Sequence, residues 1–243
     1  MKAIILAAGE GKRLNMQSDN LPKCLLKING KTLLERLLNQ LFSIEIDDIT
    51  LVVGYKKELI IDLIGELNIN VKIIENDSYK KDTNILSLAL ALEDRLSPFY
   101  LFEADCIFDN NCINKIFDPL FIDRSIWFSK GMFTQNQNGG IIKADINRKV
   151  NDLRIVQNYD SKFSSYNKLI GVMKVGKHEI SDYSTYLFQA CKDNTKQYYH
   201  IPWIKNIANL NSYLCDFGDS LVASINNPSD YQLAVELFKN ETS

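Results

Sequence analysis

Residues 6–13 read Leu-Ala-Ala-Gly-Glu-Gly-Lys-Arg, and a Pro22-Lys23 pair follows after eight intervening residues. Gly9 and Gly11 let the backbone turn so that its N–H groups converge, and Ala7 and Ala8 let a ligand approach the main chain. Arg13 adds a planar fork for phosphate oxygens. Together these residues suit a triphosphate. The run is not a Walker loop, because no Gly-Lys-Ser/Thr follows, and the third glycine of a dinucleotide fingerprint falls on Leu14. A second group able to do chemistry is Glu103-Ala104-Asp105, which closes an apolar run. A carboxylate there can hold a hard cation that bridges phosphate oxygens, although an acidic residue at a strand end is often only a turn former.

These groups need elements to position them. Lys2 to Leu6 is a short isoleucine-rich run that reads as a buried strand meeting the glycine loop. Thr32 can cap a helix in which Leu33, Leu34, Leu37, Leu38 and Leu41 recur at helical spacing. Strands are predicted at 49–53, 71–75 and 99–104, alternating with helices at 58–67 and 85–93. Such alternation argues for an α/β, Rossmann-like, mostly parallel sheet with helices on both faces and ligands beyond the carboxyl ends of its strands. From 126 to 175 the pattern changes to strand-like runs (126–128, 140–143, 153–156, 169–174) and predicts a small antiparallel extension. Helices at 179–191 and 198–209, a strand near 213–217 and a closing helix from Pro228 through Phe238 complete the chain. The expected organisation is one domain, 1–243, with a nucleotide-binding half at 1–124 and an acceptor-binding half at 125–243.

Composition narrows the partners. Lys and Arg number 28 against 30 Asp and Glu, a formal charge of −2, so no global positive field gathers nucleic acid or a membrane surface. An anionic ligand must be caught locally. The five cysteines are scattered and odd in number, which fits reduced thiols better than a disulfide framework or a zinc site. Without an apolar stretch long enough to span a bilayer or a leader pattern, the expectation is a soluble, cytoplasmic protein, monomeric or homodimeric.

The run Leu-Ala-Ala-Gly-x-Gly-x-Arg followed by Pro-Lys resembles the signature of the sugar-phosphate and small-alcohol-phosphate nucleotidyltransferases with a single Rossmann-like domain. By that resemblance, the loop with Leu6, Ala7, Ala8, Gly9, Glu10, Gly11 and Lys12 wraps the base and triphosphate, with Ala104 nearby. Arg13 and Lys23 are then the catalytic cations, Lys23 bridging donor and acceptor phosphates. Asp105 matches the family's Mg²⁺ ligand. The family supplies a second ligand from a late segment that resembles 223–231 here, and Asn226 is the candidate. Many relatives have aspartate there, whereas amino-sugar uridylyltransferases resemble this chain in using asparagine. A helix-opening turn at Asn226 and Asn227 is the competing reading. Residues 76–79 and 84–88 look like the Asn-x-x-Tyr and Asn-x-x-Ser-Leu pattern of the phosphocholine cytidylyltransferase branch. Asn84 and Ser87 then share one helix face and read a base edge or the ribose, or else the segment is a plain helix start capped by Asp82 or Thr83.

The resemblance implies in-line attack by an anionic acceptor phosphate on the α-phosphorus of a nucleoside triphosphate, with pyrophosphate leaving and no histidine base. The leading expectation is Mg²⁺-dependent transfer of CMP from CTP to a small alcohol, acid or amine phosphate for surface polysaccharide or lipid decoration. A sugar-1-phosphate nucleotidyltransferase using UTP, dTTP or CTP is the alternative, and a non-catalytic nucleotide-binding regulatory subunit is the alternative from another class. Trp127, Tyr198, Tyr199 and Trp203 are aromatics available for a choline cage. Yet where phosphocholine enzymes carry Asn-Glu-Trp, this chain has approximately Gln137-Asn138-Gly139-Gly140. Lys130, Lys143, Arg154 and Lys174, with Tyr198 and Trp203, are the expected acceptor contacts.

Overall fold

The computed structural model describes residues 1–11, 21–93 and 96–241. In chain order the elements are β1 (Lys2–Ala7), β2 (Lys27–Ile28), β3 (Lys31–Thr32), α1 (Leu33–Ser43), β4 (Asp48–Val53), α2 (Lys57–Glu66) and β5 (Lys72–Glu75). Next come α3 (Ile85–Leu92), β6 (Phe99–Glu103), β7 (Cys106–Phe108), α4 (Asn110–Ile116), β8 (Ile126–Met132), β9 (Gly139–Ala144), β10 (Val150–Val156) and β11 (Asn167–Val175). The last elements are α5 (Ile180–Asp193), α6 (His200–Lys205), β12 (Tyr213–Asp216), β13 (Val222–Ser224) and α7 (Pro228–Phe238).

β5, β4, β1 and β6 lie side by side and parallel, the α/β arrangement that strand–helix alternation predicts. Their alternating side chains feed two cores. Ala3, Ile5, Leu51 and Val53 pack with α1, α2 and α4, whereas Ile4, Leu6, Val52 and Leu101 pack with α3, α5 and α6. β11 then joins β6 antiparallel, pairing Val172 to Val175 with Phe102 to Phe99. Asn167 pairs with Met132 of β8 on one edge and with Ile142 of β9 on the other, so β9 takes over the edge that β6 leaves. The antiparallel extension is therefore continuous with the parallel part. β12 adds in parallel outside β8.

Local signals set several boundaries. Thr32 and Glu35 form a reciprocal capping box at α1, and Asn227 and Asp230 form another at α7, where Pro228 fits the first turn. The helix expected over 198–209 is shorter: α6 ends at Lys205, where the Asn206 amide donates to the Pro202 carbonyl at 2.8 Å. The strand pair β7 and β13 has no counterpart in the sequence reading, because three-residue strands show no periodicity to detect. Among the described residues no helix is long and apolar enough to cross a membrane.

Candidate active site

A cleft of about 430 Å³ opens at the carboxyl ends of β1 and β6. Its lining includes all the described residues expected to hold nucleotide: Leu6 to Gly11, Asn84, Ser87 and Ala104. Lys23, Asp105 and Asn226 line it too, as does Tyr198. Lys12 and Arg13 lie outside the described residues.

The loop is tied to its neighbours through the backbone: the Ala104 N–H donates to the Leu6 carbonyl at 3.1 Å, and the Tyr55 N–H to that of Ala8 at 3.0 Å. Gly11 has φ +63°, and a β-carbon there would lie 2.7 Å from Cγ of Lys23. Only glycine permits both the turn and the close passage of the lysine stem. Lys23 itself opens a short 3₁₀ turn behind Pro22, anchored by the buried Cys24 and Leu25.

Lys23 Nζ donates to Asp105 Oδ2 at 2.9 Å and reaches Asn226 Oδ1 at 3.5 Å. The lysine and aspartate side chains are 14% and 21% exposed, a half-sheltered pair that salt screens less than a surface one. Asn226 arrives through the ribbon that sequence reading missed: Ser224 pairs with Cys106, and the Ile225 N–H donates to the Asp105 carbonyl at 2.8 Å. The two asparagines divide the work, since Asn227 caps α7 and Asn226 faces Lys23.

Asp105 and Asn226 present oxygens to one ammonium, so a cation already sits where they converge. Hard oxygen donors of this kind suit Mg²⁺. Glu103 and the Cys106 thiol also offer donor atoms, all within 4.8 Å of one another and of Asp105. Burial holds that thiol's pKa well above its ordinary value, and it shares a 3.1 Å contact with the Ser224 hydroxyl, so it stays a protonated, soft group.

Ser87 and Asn84 line the cleft, but their polar atoms also serve the protein. The Ser87 hydroxyl donates to Asp82 at 2.8 Å and accepts from the buried Asn76 amide at 2.9 Å. Asp82 takes the Leu86 and Ser87 N–H groups, which makes it the cap of the α3 start. Asn84 accepts from the Tyr199 N–H at 3.0 Å and points its amide at Glu103, 3.4 Å away. It joins the two halves of the molecule.

Most of the expected acceptor contacts lie elsewhere. Lys130 donates to the carbonyls of Gly218 and Ser220, and Lys174 to those of Phe121 and Ile122. Lys143 lies over the Tyr166 ring, and Arg154 pairs with Asp152. Trp203 is fully buried, edge-on to Trp127 at 5.7 Å. None of these five lines the cleft, because tertiary packing turns the four basic residues to carbonyls, a ring or a carboxylate and Trp203 of α6 into the core. Only Tyr198 of the expected set does.

Behind the cleft, the 125–243 half places Lys168, whose Nζ donates to Leu169 O at 2.9 Å and Gly140 O at 3.3 Å and feels the Glu103 carboxylate. Burial lowers its pKa. Glu103 was read only as part of the carboxylate run. Its pKa is pushed up to about 7 by burial and by the Asp105 charge, against the Tyr199 hydroxyl, Lys168 and Lys23. Two charged groups on adjacent strands leave no signal in a single sequence.

Residues 3–120 match the family model described as a MobA-like NTP transferase domain. The chain is 30% identical to the choline-phosphate cytidylyltransferase of Streptococcus pneumoniae, over 99% of this chain and 100% of the relative. It is 33% identical to a 2-aminoethylphosphonate cytidylyltransferase of Lancefieldella rimae, over 53% of this chain and 50% of that one. Among solved structures, the CTP:phosphocholine cytidylyltransferase of Streptococcus pneumoniae (LicC) matches with a TM-score of 0.83 and 26% identity over 98% of both chains. The inositol-1-phosphate CTP transferase of T. maritima, 18% identical with a TM-score of 0.75 over 100% of this chain and 98% of that one, shares the fold. Likeness that runs the whole length of two chains settles descent: the chain belongs to the nucleotidyltransferase family of the choline-phosphate cytidylyltransferases, built on the MobA-like NTP transferase domain.

Proposed function

We propose that this nucleotidyltransferase moves CMP from CTP to a small phosphorylated acceptor and releases pyrophosphate. The observation that carries the reading is the meeting of Lys23, Asp105 and Asn226 beside the glycine loop, at 2.9 and 3.5 Å. Phosphate binding alone requires the loop and no such trio. Preference for CTP rests on the relatives, several of which are named as cytidylyltransferases. Two of those names specify an amine-bearing acceptor, choline phosphate and 2-aminoethylphosphonate.

In the proposed step, an acceptor phosphate oxygen attacks the α-phosphorus, the bond from that phosphorus to the β-phosphate bridge breaks, and pyrophosphate leaves with the electron pair. The acceptor is already anionic, so no residue need remove a proton. The main-chain N–H groups of the loop at Gly9 to Gly11 face the triphosphate, and Lys23 moves from Asp105 to offset charge between donor and acceptor phosphates. Asp105 and Asn226 would hold Mg²⁺, which supplies charge neutralisation at the phosphate oxygens. Residues 1–124 bind nucleotide and residues 125–243 complete the acceptor side. The five cysteines, all free thiols, fit a cytoplasmic setting.

Pyrophosphate release, measured for four nucleoside triphosphates crossed with phosphorylated alcohols, amines and sugars, tests this reading. Turnover confined to CTP with a non-sugar acceptor is expected. Exclusive use of UTP with a sugar 1-phosphate, or nucleotide binding without release for any pair, overturns it. Lys23→Ala and Asp105→Ala are each expected to lower turnover at least about a hundredfold while the protein stays folded.

A further inference from the structure

Four carboxylates line the cleft, and they are differently committed. Glu10 belongs to the glycine loop. Asp82 holds the start of α3, and Asp105 holds Lys23. Glu103 receives the Tyr199 hydroxyl and a long 3.4 Å approach from the Asn84 amide. Its carboxylate is turned toward the acceptor half: a β-carbon on Gly171 of β11 would lie 2.5 Å from Glu103 Oε2. The absent side chain of Gly171 is the space in which that carboxylate sits. Lys168, the nearby cation, has its ammonium directed to two carbonyls. Asp105 and Asp230 lie close enough to be felt by Glu103 and Lys168 respectively. Lys23 is thus held by Asp105 and Lys168 by two carbonyls, while Glu103 lines the cleft beside them.

A quaternary ammonium is held by several aromatic faces, whereas a primary ammonium needs hydrogen-bond acceptors. Trp127, Tyr199 and Trp203 are at most 1% exposed and packed into the core. Tyr198 from this half and Tyr79 from the other line the cleft, and among the described residues no third aromatic side chain lines it.

We infer that Glu103 is the acceptor-specificity residue of the site and that it receives a primary ammonium, so that the acceptor is a small aminoalkyl phosphate or phosphonate rather than a choline ester. This inference rests on the transferase reading above. Glu103 and Tyr198 enclose the ammonium, and the acceptor's phosphoryl oxygen reaches back toward Lys23.

The test compares wild type with E103Q, which keeps shape and removes charge. The acceptors are phosphoethanolamine, 2-aminoethylphosphonate, phosphocholine and the uncharged isostere 2-hydroxyethyl phosphate, all with CTP. Wild type is expected to favour the two primary amines at least about tenfold in kcat/KM, with the phosphate and phosphonate arms showing which source is used. E103Q is expected to raise KM for them about tenfold or more, leaving kcat within a few-fold and KM for CTP and 2-hydroxyethyl phosphate unchanged. G171A, which crowds the carboxylate, should reproduce the selective loss. Preference of wild type for phosphocholine, or an equal fall in kcat for every acceptor in E103Q, overturns the inference. A changed Mg²⁺ requirement in E103Q likewise overturns it, by marking Glu103 as a metal ligand. Calorimetric titration of phosphoethanolamine into each protein with a non-hydrolysable CTP analogue separates the two readings. Equal affinity for wild type and E103Q sinks the role of Glu103 even if transfer is observed, and absence of transfer with selective binding sinks only the reaction.

Discussion

Replacing His200 by phenylalanine should change how stability depends on pH. The imidazole lies between Tyr199, at 4.1 Å and 19°, and Trp127, at 5.3 Å and 18°. Its Nδ1 is buried with no hydrogen-bond partner among the described residues. Burial, helped by the charge of Lys168, holds its pKa down at about 3, against 6.5 in an unfolded chain. Between those values the unfolded state binds one more proton than the native state. Stability is therefore full above the unfolded pKa and is lost as pH falls toward the folded one. At about pH 5, roughly 1.5 units below the unfolded value, the loss amounts to about 2 kcal/mol. Phenylalanine keeps the ring stack and carries no proton.

Urea unfolding of both proteins at about pH 7 and about pH 5 gives the comparison. Glu103, whose raised pKa acts with the opposite sign by favouring the fold at lower pH, is common to both proteins and cancels in the difference. Wild type is expected to lose about 2 kcal/mol more than the variant on acidification. Equal losses, within about 0.5 kcal/mol, would refute the reasoning and mean that the ring takes up its proton inside the fold.

Other outcomes follow from the same geometry. Thr32→Ala removes the α1 cap, which accepts the Glu35 N–H at 3.0 Å, and should cost about 1 kcal/mol in urea unfolding with no change in KM for nucleotide. Lys143→Ala and Arg154→Ala, whose side chains meet Tyr166 and Asp152 away from the cleft, should leave steady-state transfer within about twofold of wild type.

What could be read in advance was local. The Lys2 to Leu6 run, the Thr32 and Glu35 cap and the Asn227, Pro228 and Asp230 helix start lie within a few residues of one another, and their physics acts at that range. Lys23 and Asp105 could be singled out because their neighbours form a recognisable pattern. The meeting of Lys168 with Glu103 could not, since it depends on the register of β11 against β6 and β9. The misplaced basic residues, Lys130, Lys143, Arg154 and Lys174, show the same limit. Strand alternation says that a lysine faces one side of a sheet, and only tertiary packing says whether a carbonyl, a ring or a ligand waits there.

The ribbon of β7 and β13 also has a consequence for how the enzyme comes into being. Lys23 and Asn226 are 203 residues apart, and Asn226 takes its place only when the segment before α7 pairs with Cys106 to Phe108. During synthesis the glycine loop emerges well ahead of this ribbon, and β1, β4 and β6 can assemble around it long before β13 has been made. On the proposed mechanism, the loop of a nascent chain is thus formed before the trio proposed to act beside it is complete. If that trio acts as proposed, competence is one of the last properties the molecule acquires, and a record that its final tertiary contacts have formed.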